Sequence, residues 1–224
     1  MFHSQKHVFW QALLVTILIF SLGLIAGFVL ENWRTGKVDF LFKKSDIDLL
    51  DARIQNEIYL SGKFNCDRAI EENIKFADRI YEEAKILDRY ETASELTGKI
   101  QLEHKKYDIL RALLLLNSIQ IKEKCNATYY EVVYFYNFQE RDFDKRAKQN
   151  VFSNQLREVK ELKGSDVLLI PIAGNINASS IDLLMDKYNV SKNELPVILI
   201  NRDIKIKEIQ NLNELLLYFD TGKK

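Results

Sequence analysis

"SSIDLLMDKYNVSKNELPVILIN", Ser179 to Asn201, decides how the second half of the chain folds. It reads as a short helix over 179–188 that closes at Asn189, a residue type common at helix C-termini. A polar turn follows, and Pro196 then opens the apolar, β-branched run Val197–Ile200, the composition of a strand buried on both faces. After the turn Asn201-Arg202-Asp203 the run 204–209 reads as a second strand. A linker that short makes the two antiparallel. A last helix covers 211–219.

Working upstream, "VLLIPI" at 167–172 is another apolar strand, and Gly164 breaks the helix that precedes it, 142–162. Before that helix stands "EVVYFY", 131–136, a strand rich in β-branched and aromatic residues. The crossover from 131–136 to 167–172 is long enough for a parallel pair. Pro171 lacks an N–H, which a strand tolerates at a sheet edge. The order over 129–220 is βαβαββα.

This order, with the Tyr188-x-Val190 helix end and Pro196 opening a strand, resembles the thioredoxin-like superfamily over under half of the chain. The resemblance implies a cis Leu195–Pro196 bond facing the loop after the first strand, where the family carries Cys-x-x-Cys. Here that loop, at 139–143, reads Gln-Glu-Arg-Asp-Phe and holds no cysteine, serine or threonine. The resemblance therefore implies a redox-inactive domain that keeps the family's peptide-gripping surface. Phe138, Gln139, Phe143, Leu195 and Pro196 are its expected binding residues, and an extended polypeptide is the expected partner.

The first half differs in kind. Val8–Leu30 holds no charged residue over its whole length, and Trp10 and Trp33, the chain's 2 tryptophans, flank it. At ~1.5 Å per residue such a run crosses a ~30 Å hydrocarbon core, with the tryptophans at the interfaces. It is too long for the apolar part of a cleaved signal peptide. Residues 1–34 are read as a single-pass anchor contacting membrane lipid. Gly23 and Gly27 form a Gly-x-x-x-Gly pattern, a candidate contact for a homodimer.

Residues 45–125 read as helices. Ser45 is an expected N-cap ahead of Ile47, Leu50, Ile54 and Ile58, which share one face, and Gly62 ends this helix. A second helix runs from Cys66 to about Tyr90. "TASE", 92–95, is a capping box that starts a third, carrying Tyr107, Leu110, Leu114 and Ile121. The two longer helices make an antiparallel hairpin. A hairpin turning near residue 95 brings Cys66 and Cys125 to its open end, so a Cys66–Cys125 disulfide is expected. Closing that loop is worth about 4 kcal/mol. A disulfide implies an oxidising compartment and so an extracytoplasmic C-terminal region. The sequons at Asn126, Asn177 and Asn189, glycosylation candidates, point the same way. The Lys/Arg count, with Arg34, Lys37, Lys43 and Lys44 after the anchor against Lys6 before it, favours the opposite orientation.

Acidic and basic residues balance at 32 each, so no charge excess argues for a nucleic-acid partner. No phosphate-binding glycine loop is present. His3, His7 and His104 do not combine with two distant cysteines into a metal centre, so no metal or other cofactor is implied. His104, at the margin of the third helix's stripe, reads as a lone histidine. The whole resembles uncharacterised membrane-anchored archaeal envelope proteins with redox-inactive thioredoxin domains. The expected function is a binding, chaperone-like or scaffold module at the cell envelope, not an enzyme. Two alternatives stand beside it: a thiol-disulfide oxidoreductase using Cys66 and Cys125, and a structural membrane scaffold formed by pairing of the hairpin helices.

Overall fold

The computed structural model of the chain describes residues 5–91 and 97–220. It contains helices α1 (Gln5–Ser61), α2 (Cys66–Glu91) and α3 (Thr97–Cys125), then β1 (Tyr130–Tyr136), α4 (Phe143–Lys163), β2 (Val167–Ala173), α5 (Ser179–Lys187), β3 (Val197–Ile200), β4 (Ile204–Ile206) and α6 (Leu212–Asp220). The chain divides into two compact units, Met1–Ile47 and Asp48–Lys224. The capping box expected at 92–95 lies outside the described residues.

Within the first unit, Val8–Trp33 is long and apolar enough to cross a membrane, with a mean hydropathy of 2.8 over its best window and none of that window buried. Gly23 and Gly27 both leave open space where a Cβ would stand. Ser45 is not an N-cap: α1 runs unbroken through it to Ser61. A serine caps only where the chain is not already helical, and here "FKK" before it continues the helix.

Towards its C-terminal end α1 does not bury the expected stripe. Ile47, Leu50, Ile54 and Ile58 remain 68%, 60%, 51% and 46% exposed, whereas Asp48, Ala52 and Tyr59 are buried. Asn56 of α1 donates to Asn117 Oδ1 (2.8 Å), and Asn117 donates to the Ala52 carbonyl (3.2 Å), so a polar face of α1 docks on α3. α2 and α3 form the expected antiparallel pair, with Phe76, Ile80, Leu110, Leu114 and Leu115 inside it. Asn65 caps α2 by accepting from Arg68 N (2.9 Å).

The sheet has the order β2-β1-β3-β4. β1 and β2 are parallel, with Val132 opposite Leu169. β1 and β3, and β3 and β4, are antiparallel, with Tyr134 opposite Ile198 and Leu199 opposite Lys205. β2 is an edge strand, where Pro171 is tolerated. Both faces are covered. Val132, Tyr134, Ile198 and Ile200 pack with Phe152, Leu156 and Val159 of α4 and Leu215 and Phe219 of α6. By strand alternation, Val133, Phe135, Ile170 and Ile172 point to the other side, where α3 lies against β2. Asp142 caps α4 by accepting from Lys145 N (3.0 Å). Asn211 and Glu214 bond reciprocally at the start of α6, a capping box beyond those expected from the sequence. The Leu195–Pro196 peptide is cis.

Candidate functional site

The loops after β1 and β2 meet the N-terminal part of α3 and leave a groove of about 510 Å3, lined among others by Leu102, Lys105, Phe138, Gln139, Arg141 and Asn175. The loop after β1 is held from three directions. Asn175 accepts from Phe138 N (2.7 Å) and donates to Phe138 O (2.9 Å), matching a backbone pair with one side chain. Gln149 of α4 does the same for Asn137, accepting from its N–H (2.8 Å) and donating to its carbonyl (3.2 Å). Glu140 accepts from Asn137 Nδ2 (2.6 Å) and Asp142 N (2.9 Å). The Asp142 amide, followed by Asn137, holds the Glu140 carboxyl below its ordinary range. With its polar backbone satisfied in this way, the loop tolerates a left-handed Gln139 (φ 52°).

Beneath the groove lies a buried polar chain. The Phe138 ring sits 3.8 Å, centroid to centroid, from the His104 imidazole. His104 Nδ1 is 2.9 Å from Asp108 Oδ2, and Nε2 is 3.2 Å from the Tyr136 hydroxyl. Asp108, fully buried, also accepts from Arg111 Nη1 (2.9 Å) and from the backbone N–H of Ala173 (3.2 Å). Burial pushes the Arg111 pKa down, but Asp108 and Tyr136 outweigh it and the net shift is upward, so the guanidinium stays charged. This chain of groups joins α3 to β1 and β2 directly under Phe138.

His104 is therefore not alone. The signal was in the sequence: Asp108 follows it by four and Arg111 follows Asp108 by three, a spacing that shares one helix face.

The five expected binding residues do not form one surface. Phe138 and Gln139 line the groove. Phe143, 72% exposed, stands at the first turn of α4 with Arg146 over its ring, and Leu195 and Pro196 are buried. Leu195 lies under the turn after β2, where a Cβ on Gly174 would come within 2.7 Å of its Cδ1. That close approach is why glycine stands there.

Cys66 and Cys125 meet at disulfide distance, with Cα–Cα 5.4 Å. Lys124 beside them donates to the carbonyls of Tyr59 and Leu60 at the end of α1. Asn126, Asn177 and Asn189 are all exposed, and all three are left-handed (φ 51°, 53° and 52°). Asparagine is the commonest non-glycine residue in that region, a conformational reason for each that is independent of any glycan.

At the other end of β1 a second buried acid, Glu131, forms an ion pair with Arg202, whose Nε lies 3.1 Å from its carboxylate, and Arg202 Nη1 donates to Glu123 (2.9 Å). Burial raises the Glu131 pKa, against the pull of Arg202 and Lys122. Lys122 donates to Asn201 Oδ1 (2.7 Å) and to the Tyr129 carbonyl (2.9 Å), and burial lowers its own pKa.

No family model matches the chain, and no curated protein does. A solved structure titled "Structure of a malarial protein" aligns with 43% of this chain and 99% of its own at 16% identity and a TM-score of 0.33. A likeness that low carries no argument about fold or function.

Proposed function

We propose that the chain is a membrane-anchored, redox-inactive thioredoxin-like protein that holds an extended polypeptide at the outer face of a cell membrane. The fold reading rests on the sheet order, the cis Leu195–Pro196 bond and the edge strand β2. The outward orientation rests on the Cys66–Cys125 approach, which suits a compartment where disulfides persist.

The observation that carries the binding reading is the groove beside Phe138. It is built on the loop after β1, one of the two segments that grip a substrate chain in thioredoxin-like proteins, while the other, at Pro196, is buried here; the loop has satisfied its own backbone groups through Asn175, Gln149 and Glu140. A surface so fixed loses little freedom on binding. Lys105 and Arg141 give it positive charge, Phe138 and Leu102 give it apolar area, and neither cysteine lies in it. The matching ligand is an extended segment carrying acidic and apolar side chains.

The test uses the full chain in detergent and fluorescent unstructured peptides of acidic, neutral and basic composition. Acidic-apolar peptides are expected to bind tightest. Lys105→Glu with Arg141→Glu should weaken them at least ~10-fold, equivalent to about 1.4 kcal/mol. Equal binding by the charge-reversed protein, or no binding of any peptide class, refutes the reading.

A further inference from the structure

We infer that the exposed apolar stripe of α1 is the contact through which two copies of this chain pair side by side. Four large aliphatic side chains stand in a row on the solvent face of α1, Ile47, Leu50, Ile54 and Ile58, each about half exposed or more. The opposite face of the same helix is already committed: Asp48, Ala52 and Tyr59 are buried, and Asn56 bonds Asn117. The stripe is therefore not the docking face of α1 on its own domain, and nothing among the described residues covers it.

Its spacing selects the occupant. Ile47 and Ile54 lie seven apart with Leu50 between them, which places β-branched residues at a and leucine at d of a heptad. That choice favours two parallel strands over higher assemblies. The next d position is Glu57, so the seam is short. A seam of three side chains, with Ile58 at the flanking e position, is well below the ~20–30 residues a side of a standard interface. It suffices only for partners that another constraint already holds parallel and close. The apolar run Val8–Trp33 gives that constraint to a second copy, an argument that rests on the proposed anchoring: chains held in one bilayer share one orientation and carry the stripe the same number of residues from the anchor. A soluble partner has no such advantage. The Gly23 and Gly27 pattern is not needed, since it falls off the a and d positions that Ile47, Leu50 and Ile54 define. This inference is independent of the groove and of what the groove holds.

The test is cysteine cross-linking of the full chain in lipid vesicles. Leu50→Cys should give a reductant-sensitive species of twice 26.3 kDa, while Glu161→Cys, exposed on α4, should give several-fold less. Ile47→Lys with Ile54→Lys should abolish the Leu50→Cys dimer without changing the circular dichroism, because both positions are already in solvent. Equal cross-linking at the two cysteine positions overturns the inference. So does a dimer that survives the lysine pair, which would place the contact in the anchor, and so does a Leu50→Cys adduct with a different protein.

Discussion

Replacing Arg202 isolates the buried charge at the β3–β4 turn. Arg202 has φ 72°, and a residue with a Cβ in that region costs roughly 1–2 kcal/mol relative to glycine. Its compensation is Glu131, which is fully buried and lies 3.1 Å from Arg202 Nε. Removing one partner of a buried pair costs about 3–5 kcal/mol, and the low end applies because the Arg202 side chain keeps 26% of its exposure. Arg202→Gly therefore trades a loss of about 3 kcal/mol for a gain of about 1 kcal/mol, a net destabilisation of ~2 kcal/mol.

The sign with pH follows from Glu131. Its folded pKa is raised, so the folded state favours the protonated form, and stability falls as pH rises from the unfolded carboxyl range through the folded pKa. Without the arginine the pKa rises further, so the deficit of Arg202→Gly against wild type should be small at acidic pH and full at neutral pH. Glu131→Gln combined with Arg202→Gly should be nearly flat over the same window.

The assay is urea unfolding of the full chain in detergent, followed by far-UV circular dichroism. Fluorescence is unsuitable because both tryptophans, Trp10 and Trp33, lie at the anchor. With a slope of ~2 kcal/mol/M, the neutral-pH midpoint should fall by ~1 M. A midpoint shift that is absent, or is the same at both pH values, refutes the claim that Arg202 offsets part of the cost of burying an ionised Glu131.

Three further outcomes are expected. Asp108→Ala leaves Arg111 buried without its carboxylate and the Ala173 N–H without an acceptor, and should cost about 3–5 kcal/mol. Asp108→Asn, which keeps the acceptor but not the charge, should cost less, and thermal melts would rank the two. Cys66→Ser with Cys125→Ser opens a loop of sequence separation 59 and should lower stability by about 4 kcal/mol, with reductant doing the same to wild type but not to the double variant. Phe143→Ser, at an exposed site, should stay within ~0.5 kcal/mol of wild type, while Phe152→Ala, 1% exposed in the core under the sheet, should cost about 3–5 kcal/mol, both by urea midpoint.

The sheet is legible in the sequence because its signals are local. Val197–Ile200 is apolar on both faces, Pro171 suits an edge, and Gly164 ends a helix with φ 56°. The cysteine approach is legible as well, since two helices of similar length around one turn bring their far ends together. What fails is the inference from a periodic stripe to its partner. The spacing of Ile47, Leu50, Ile54 and Ile58 suggests a packing face, but periodicity says only that a helix has an apolar side. Asn56, Asn117 and the buried Ala52 decide which side docks. Phe143 and Pro196 are expected together on one platform, yet one begins α4 facing solvent and the other is buried at the start of β3. Glu131 gives no warning, because a carboxylate in a strand reads as a solvent-facing position until Arg202, seventy-one residues later, is brought against it.

The polar ties of α3 explain why the helical pair and the sheet fall in one compact unit. Tyr129 donates to the Ser118 carbonyl (3.0 Å), and Lys122 reaches Tyr129, just before β1, and Asn201, just after β3. His104 and Asp108, some four turns earlier on the same helix, reach Tyr136 and Ala173 at the ends of β1 and β2. α3 is thus fastened to both ends of β1 by groups that are buried or part-buried and that cost about 1–3 kcal/mol each if left buried and unpaired. Apolar contact alone would let a helix slide along a sheet. Directional bonds at two points a strand-length apart do not, and they fix Phe138, whose ring rests on His104, with the same certainty. If α3 is the part that sets the groove's geometry, Asp108→Asn should disturb peptide binding more than its loss of stability accounts for. Phe152→Ala, which weakens the α4 side of the sheet, should lower stability with little change in binding by the molecules that remain folded.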